Sequence, residues 1–586
     1  MRFINNPMRW LAAAGVIVSL LSAYGCSGSD APPPPQFRSI AYGVIEGVDD
    51  TAGTGTYFWK GIPFAKPPVG ALRWKAPVEP DAWPATIRSA KLFGDACAQY
   101  GRIYGPGANN TYDATIGTTL NTAVGSEDCL YLNIWRPASG NGNLPVIYFI
   151  HGGSNVSGYT ADPVYDGAAL AKFANAVVVT ANYRLGLFGW LNLPQLRSGT
   201  DANSDSGNFG TLDTILTLKF INKNIANFGG DPGNVTVMGQ SAGAINVYAL
   251  LTSPLVVNAS PKLFHKAVPI SGGISLATEL PPGSIATLSP ASTALAQGNA
   301  LLYNLLIADG LAVDNTTAAA YAATQTNVQI ADYVRSKTPA TIFNILLTKL
   351  AAVGLSASGP IPEGTVLPPD PVASISAGNY LRVPVLASNM RDEAKLFASL
   401  LALSPALGGV PGLIVTDATR FLQMMNYNPD AAPTLTDADL INPLYLPVTA
   451  VGTGYNAKTD LLNSLFFIPS RNNVLNALLS QQSNVWYYQC NWSLEPAPWI
   501  DVYGAAHAFD LPFIFGNFGP SVFSNAVNST ANRPGRLDLS NAMMSSIAAF
   551  AKNGDPNNAA LGVTWPAWPK TLIFDATLTN KSISVQ

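Results

Sequence analysis

A serine flanked by tiny residues, Gly239-Gln240-Ser241-Ala242-Gly243, follows the β-branched run Val235-Thr236-Val237 and precedes AINVYALL (244–251), a helix-forming run. Strand, G-x-S-x-G and helix in that order describe a sharp bend with a hydroxyl at its apex. Small neighbours leave room for the bend. The free N–H groups that open the following helix favour negative charge developing beside the hydroxyl. A structural turn serine is the plainer reading, and the strand and helix around it weigh against that. A serine hydroxyl attacks a carbonyl only if a base takes its proton.

Three histidines compete for that role. His151 ends an apolar run and opens HGGS. His265 lies in KLFHKAV, a helix-like run in which a packed or surface histidine is expected. His507 lies in GAAHAFDLPFIFG (504–516), a small-residue loop after a strand-like run. For a serine on such a bend, the acid lies between serine and histidine in chain order. Only His507 leaves a long interval for it. That interval holds VPVLASNMRDEAKLF (383–397), with Asp392 and Glu393 side by side after a strand-like run. Neighbours point in different directions, so one of the two would hold the imidazole. These residues alone do not choose, and a solvated acidic loop is the competing reading. Backbone N–H groups must face the oxygen that becomes negative. FIHGGS (149–154) offers Gly152 and Gly153, which let the backbone approach a substrate closely, and Ala242 adds a third N–H.

These side chains need a scaffold. LPVIYFI (144–150) and AVVVTANY (176–183) are short apolar runs suited to buried parallel strands. TLDTILTLKFINKNIANF (211–228) carries apolar residues at helical spacing and precedes NVTVMG. Further strands are expected in LRVPVLASN (381–389) and NVWYYQCNW (484–492). Alternating strands and helices predict an α/β fold with a large, mostly parallel sheet flanked by helices. Residues 272–380 and 401–483 read as helical insertions, the first covering the sheet, and both shaping whatever pocket lies above it.

The 586 residues are 48% hydrophobic and only 11% charged, with a net charge of −3. That composition describes a globular chain, and the lack of basic runs argues against a nucleic-acid partner. Arg2 and Arg9 precede an apolar run at 11–21 that is too short to span a bilayer. Residues 1–25 therefore read as an export signal, and 26–37, with four consecutive prolines, as a tether. Cys26 stands where a bacterial lipoprotein signal would be cleaved and lipidated. Ala23 and Tyr24 fit that motif poorly, so plain cleavage nearby is the alternative. The lipid would be the only membrane attachment. Cys97 and Cys129 lie in an exported chain, where a disulfide is expected to persist. Cys490, inside a strand-like run, reads as a buried, inert thiol.

With these residues in view, the chain resembles the type-B carboxylesterase/lipase family, the cholinesterase-like branch of the α/β-hydrolases. YFWKGIPFAKPPVGALRWKAP, SEDCLYLNIWRP, HGG, NYRLGLFGW, GNFGTLD, NIANFGGDPGNVTVMGQSAG, RDEAKLF, GAAHAFDLPFIFG and FAKNGDPNNAALGVTWPAW follow in family order. The resemblance runs from about residue 38 to 586 as one large domain. It implies an α/β-hydrolase fold with helical insertions over the site, Ser241 as nucleophile and His507 as base. Glu393 becomes the acid, because it falls on the glutamate of the family's D-E-G element. Oxyanion donors fall on Gly153, Ser154 and Ala242, and a Cys97–Cys129 bridge would close a loop beside the active-site gorge. The implied activity is hydrolysis of small-molecule or polymeric carboxylic esters, without metal or organic cofactor. The alternatives are a lipase or polyester-type esterase acting on large apolar substrates and, more remotely, a non-catalytic binding protein.

Four departures from the family pattern matter. Ser154 replaces a glycine and Asn155 an aromatic, which narrows the backbone choices at the oxyanion turn. Gln240 replaces a glutamate beside the nucleophile, which weakens attraction for cationic substrates. The 97–129 loop holds no tryptophan, the best face for a quaternary ammonium, although Tyr100, Tyr104 and Tyr112 are present. Choline esters are accordingly disfavoured.

Overall fold

The computed structural model of the protein describes residues 35–403 and 409–586. The export segment, Cys26 and most of the tether lie outside these residues. The core is an eleven-stranded sheet. Its strands, in chain order, are β1 (Val48–Asp50), β2 (Thr56–Pro63), β3 (Tyr131–Pro137), β4 (Leu144–Ile150), β5 (Val177–Ala181), β6 (Gly230–Gln240), β7 (Lys266–Ile270), β8 (Val385–Met390), β9 (Val485–Cys490), β10 (Leu572–Ala576) and β11 (Lys581–Val585). Their spatial order is β11-β10-β9-β8-β7-β6-β4-β5-β3-β2-β1. From β10 to β5 all neighbours are parallel; the outer strands at both edges pair antiparallel.

The continuous apolar runs have a simple cause. Side chains alternate between faces, and both faces are covered. Ile147 and Phe149 of β4 pack with Val178 and Met238 on one side, under α3 (Arg533–Asn553) through Met543, Ile547 and Phe550. Val146, Tyr148 and Ile150 pack with Val235 and Val237 on the other, against α1 (Phe209–Asn224) and α2 (Ala242–Thr252) through Leu212, Ile215, Val247 and Leu250. Each buried aliphatic side chain contributes about 1.5–3 kcal/mol.

Two expectations are corrected. KLFHKAV forms no helix: Lys266–Ile270 is strand β7, paired with β6 through Val237↔Ala267 and Met238↔Val268 and with β8 through Ile270↔Ser388. A short apolar stretch reads equally well either way, and hydrogen-bonding neighbours on both sides decide it. Most of the helical part of 291–345 packs away from the sheet, although Ala291 and Ala294 at its start meet the sheet cluster. Leu301, Leu302, Leu305 and Phe343 share an apolar cluster with Trp74, Leu187 and Phe188, in segments beyond the strand ends. The end of that insertion does reach the sheet cluster, through Ile375, Leu381 and Val383. Among the described residues no helix is long and apolar enough to cross a membrane.

One buried ion pair ties a loop to the frame. Arg184, just after β5, donates from Nε to Asp213 Oδ2 at 2.8 Å and from Nη2 to Oδ1 at 2.7 Å. Asp213 sits in α1 and also accepts the Arg184 backbone N–H at 3.0 Å. Burial works against the charged Asp213 carboxyl and raises its pKa, while the guanidinium opposes that rise. A paired charge of this kind is costly to orphan, whatever the intact pair contributes. Asp213→Ala is expected to destabilise the fold by about 3–5 kcal/mol in urea unfolding, leaving Arg184 buried and uncompensated; a loss under about 1 kcal/mol would show that water reaches it.

Candidate active site

The bend after β6 sets the site. Val235–Gln240 is buried centrally in the sheet, and the chain then turns into α2 at Ser241, with φ 59° and ψ −123°. A non-glycine residue in that region costs about 1–3 kcal/mol and must be held. Ser241 N donates to Ile270 O at 2.8 Å, and Ser241 O accepts from Ala244 N and Ile245 N at 2.9 and 3.1 Å. The flanking glycines answer to sterics. A Cβ on Gly239 would lie 2.4 Å from Gly243 O, and one on Gly243 would lie 2.1 Å from Ile150 O. Ser241 thus stands at the C-terminal end of β6, beside that of β4.

The segments that follow β8 and β9 bring a carboxylate and an imidazole. Glu393, three residues beyond β8, is fully buried, and His507 is 3% exposed. Glu393 Oε2 accepts from His507 Nδ1. Its other oxygen accepts from Asn389 Nδ2 at 2.9 Å and Met390 N at 2.8 Å, so the carboxylate is fixed before it meets the imidazole. Asp392 does different work. It pairs with Arg391 at 2.7 Å, and it accepts from Ala505 N at 3.0 Å while its own N–H donates to Ala505 O at 2.9 Å. The two adjacent acids therefore diverge: one holds the imidazole and the other straps down its loop two residues away. His507 Nε2 lies 3.0 Å from the Gln240 amide nitrogen.

The glycine turn after β4 forms a third side. Gly153, Ser154 and Asn155 all have positive φ, at 101°, 57° and 58°. Val156 N and Ser157 N both donate to Gly153 O, at 3.1 and 3.0 Å. Asn155 tolerates the left-handed region better than most residues. Its Oδ1 accepts from Asn246 Nδ2 at 2.9 Å, and its carbonyl accepts from Gly186 N at 2.7 Å. The two departures from the family pattern are thus accommodated, Asn155 by anchoring the turn to α2. His151 supports the turn from below. Its Nδ1 donates to Gly152 O at 2.9 Å, its ring stacks on Tyr183 at 4.6 Å, and burial depresses its pKa to about 4.

Gly152, Gly153, Ser154, Ser241 and His507 line one pocket, and Ala242 opens α2 beside it. The pocket's other walls include Tyr104, Phe397 and Phe523, and among the described lining residues none is Asp, Glu, Lys or Arg. Tyr104 stacks on Phe523 at 6.0 Å, and Phe397 meets the His507 ring edge-on at 5.0 Å. Tyr104 belongs to the loop closed by the Cys97–Cys129 disulfide. Tyr100 and Tyr112 turn elsewhere, against Phe343 and Phe421. His265 lies outside the site, its Nδ1 accepting from Val235 N at 3.2 Å. Cys490 is a buried free thiol whose pKa burial raises well above the usual value.

Sequence reasoning missed Asp510. It is fully buried, and its Oδ2 accepts from the Tyr488 hydroxyl at 3.2 Å. Burial, and then the negative charge of Glu393, push its pKa up to about 7. Its signal was its place three residues after His507, but a helix-opening aspartate is equally common.

A mostly parallel sheet flanked by helices, with a serine bend, an acid–imidazole pair and a glycine turn at the strand ends, is the α/β-hydrolase fold. The carboxylesterase family profile matches residues 34–582, and the chain belongs to that family. It is a carboxylic-ester hydrolase. The para-nitrobenzyl esterase of Bacillus subtilis (strain 168) is 32% identical over 552 residues, covering 93% of this chain and 96% of that one. The fumonisin B1 esterase of Sphingopyxis macrogoltabida is 31% identical, covering 96% and 91%. A solved para-nitrobenzyl esterase structure superposes with a TM-score of 0.68 at 29% identity, covering 94% and 97%.

Asp510 yields a pH prediction. Its folded pKa of about 7 lies above the ordinary carboxylate value, so its contribution to stability is complete below about pH 4 and is lost as pH rises through 7. In Asp510→Asn that loss is expected to vanish. The melting temperature of the variant, relative to wild type, should rise between pH 4 and pH 8. A parallel pair of curves would show that Asp510 ionises normally.

Proposed function

We propose that the chain is an exported serine esterase working through Ser241, His507 and Glu393. The observation that supports this reading best is His507 placed between a buried carboxylate on Nδ1 and the pocket that holds Ser241. A carboxylate only accepts, so Nδ1 carries the proton and Nε2 is left as the base. His507 takes the Ser241 proton as the hydroxyl attacks the ester carbonyl. The backbone N–H groups of Gly153, Ser154 and Ala242 receive the oxyanion, with Gly152 leaving space for it. Glu393 orients the imidazole and stabilises its charged form. His507 then protonates the leaving alcohol, and a water repeats the sequence on the acyl-enzyme to release the acid.

The substrate class follows from the walls. A pocket with no Asp, Glu, Lys or Arg among its described lining residues, and faced by Tyr104, Phe397 and Phe523, suits uncharged esters with apolar or aromatic groups, in keeping with the para-nitrobenzyl esterase relative. Export rests on residues 1–25, and the disulfide fits an oxidising compartment.

Ser241→Ala is expected to lower kcat on p-nitrophenyl butyrate by at least about four orders of magnitude, with Glu393→Gln losing a comparable factor. Equal rates for Ser241→Ala and wild type would remove the catalytic reading. Across an acyl series, rates should fall steeply from butyrate to long-chain triglycerides; sustained turnover of triolein or a polyester film would replace the small-ester reading with the lipase one.

A further inference from the structure

The mechanism makes no use of Gln240, yet its side chain occupies the atom the mechanism needs. Gln240 is the last residue of β6, directly before Ser241, and is 2% exposed. Its amide nitrogen lies 3.0 Å from His507 Nε2. Glu393 takes the Nδ1 proton, so the neutral imidazole presents a bare lone pair at Nε2. Only the amide NH2 can meet a lone pair, which fixes the orientation of the Gln240 side chain. The other end agrees. Gln240 Oε1 turns toward the glycine turn, where a Cβ on Gly152 would lie 2.7 Å from it. The amide therefore spans from the imidazole to the floor of the oxyanion turn, and Gly152 is a glycine partly because Gln240 fills the space a side chain would need.

We propose that Gln240 is a positioning residue for His507: its NH2 holds the imidazole with Nε2 unprotonated in the resting enzyme, and yields that lone pair to the Ser241 hydroxyl when an ester binds. The proposal rests on His507 being the base. A carboxylate at residue 240, the family's usual choice, would do the opposite. It accepts only, so it would favour a proton on Nε2 and stabilise the imidazolium by its charge. An amide donor opposes that protonated state, because a proton on Nε2 would face an N–H. During acylation the Ser241 Oγ–H bond breaks as Oγ bonds the carbonyl carbon, and the carbonyl electron pair moves to the oxygen. The proton goes to Nε2, which must by then have exchanged its Gln240 hydrogen bond for Ser241.

The surroundings isolate the effect. Glu393 faces His507 on Nδ1, and Asp510 stands behind Glu393. From the segment after β8 and from Tyr455–Leu479, His507 meets the uncharged rings of Phe397 and Phe467, at 5.0 and 5.3 Å. Gln240 is thus the polar side chain recorded on Nε2.

The test uses the whole protein labelled with 15N-histidine, which has only three imidazoles to resolve. In Gln240→Met, which keeps the bulk and loses the donor, the neutral-state Nε2 resonance of His507 should move downfield toward a free imine nitrogen. In Gln240→Glu the acid limb of kcat/KM on p-nitrophenyl butyrate should move to higher pH by at least about one unit. Active-site titration counts the folded fraction of each variant, and Gln240→Met carries the test if Gln240→Glu does not fold. An Nε2 resonance in Gln240→Met that coincides with wild type, or an acid limb in folded Gln240→Glu that does not move, overturns the proposal. Failure of the underlying reading looks different: His507→Ala would then retain activity, whatever the Nε2 resonance does.

Discussion

The backbone bend at Ser241 is the constraint from which the rest of the site is built. An L-residue at φ 59° is held there by hydrogen bonds to β7 on one side and the first turn of α2 on the other. Neither glycine beside it tolerates a Cβ, because β4 and α2 approach to van der Waals contact. The strain is affordable because the strand leading into it is central in the sheet, paired with β4 and β7 along its length. A bend of this kind on an edge strand would relax. On a central strand it fixes one hydroxyl at the place where the ends of β4, β6 and β8 converge.

Electrostatics then separates groups that look alike. Glu393 and Asp510 are both fully buried, but Glu393 accepts from an amide, a backbone N–H and an imidazole, while Asp510 has a tyrosine hydroxyl on one oxygen. Burial, and then the charge of Glu393, disfavours a charge on Asp510. His151 and His507 divide similarly. His151 is neutral beside the Gly152–Gly153 turn because burial penalises its cation. His507, by contrast, meets the Glu393 carboxylate through Nδ1.

The pocket walls come from segments far from the bend. Tyr104 arrives on a loop closed by the Cys97–Cys129 bond, and Phe523 follows the His507 loop. Phe397 sits at a break in the helical geometry of 393–403, with φ −107° and ψ 34°. That break lets one short segment supply both the buried acid and an aromatic face against the imidazole.

The amino-acid order by itself determined the serine bend, the parallel strands Leu144–Ile150 and Val177–Ala181 and the helix after residue 209, and it singled out Ser241 and His507 as candidates, with Glu393 added by the family resemblance. Those features are local: each needs only its neighbours in the chain, through periodicity or through a cluster of small residues. Tertiary structure decided the rest. Strand β7 hides in a helix-like run, because strand pairing supplies the hydrogen bonds that choose between two short apolar readings. Asp392 and Glu393 part company only once the 505–507 loop is in place, with the Ala505 backbone on one carboxylate and the His507 imidazole on the other. Gln240 meets an imidazole 267 residues away. A contact of that span leaves no trace in spacing or composition, since it exists only when folding has brought the ends of separate strands to one point.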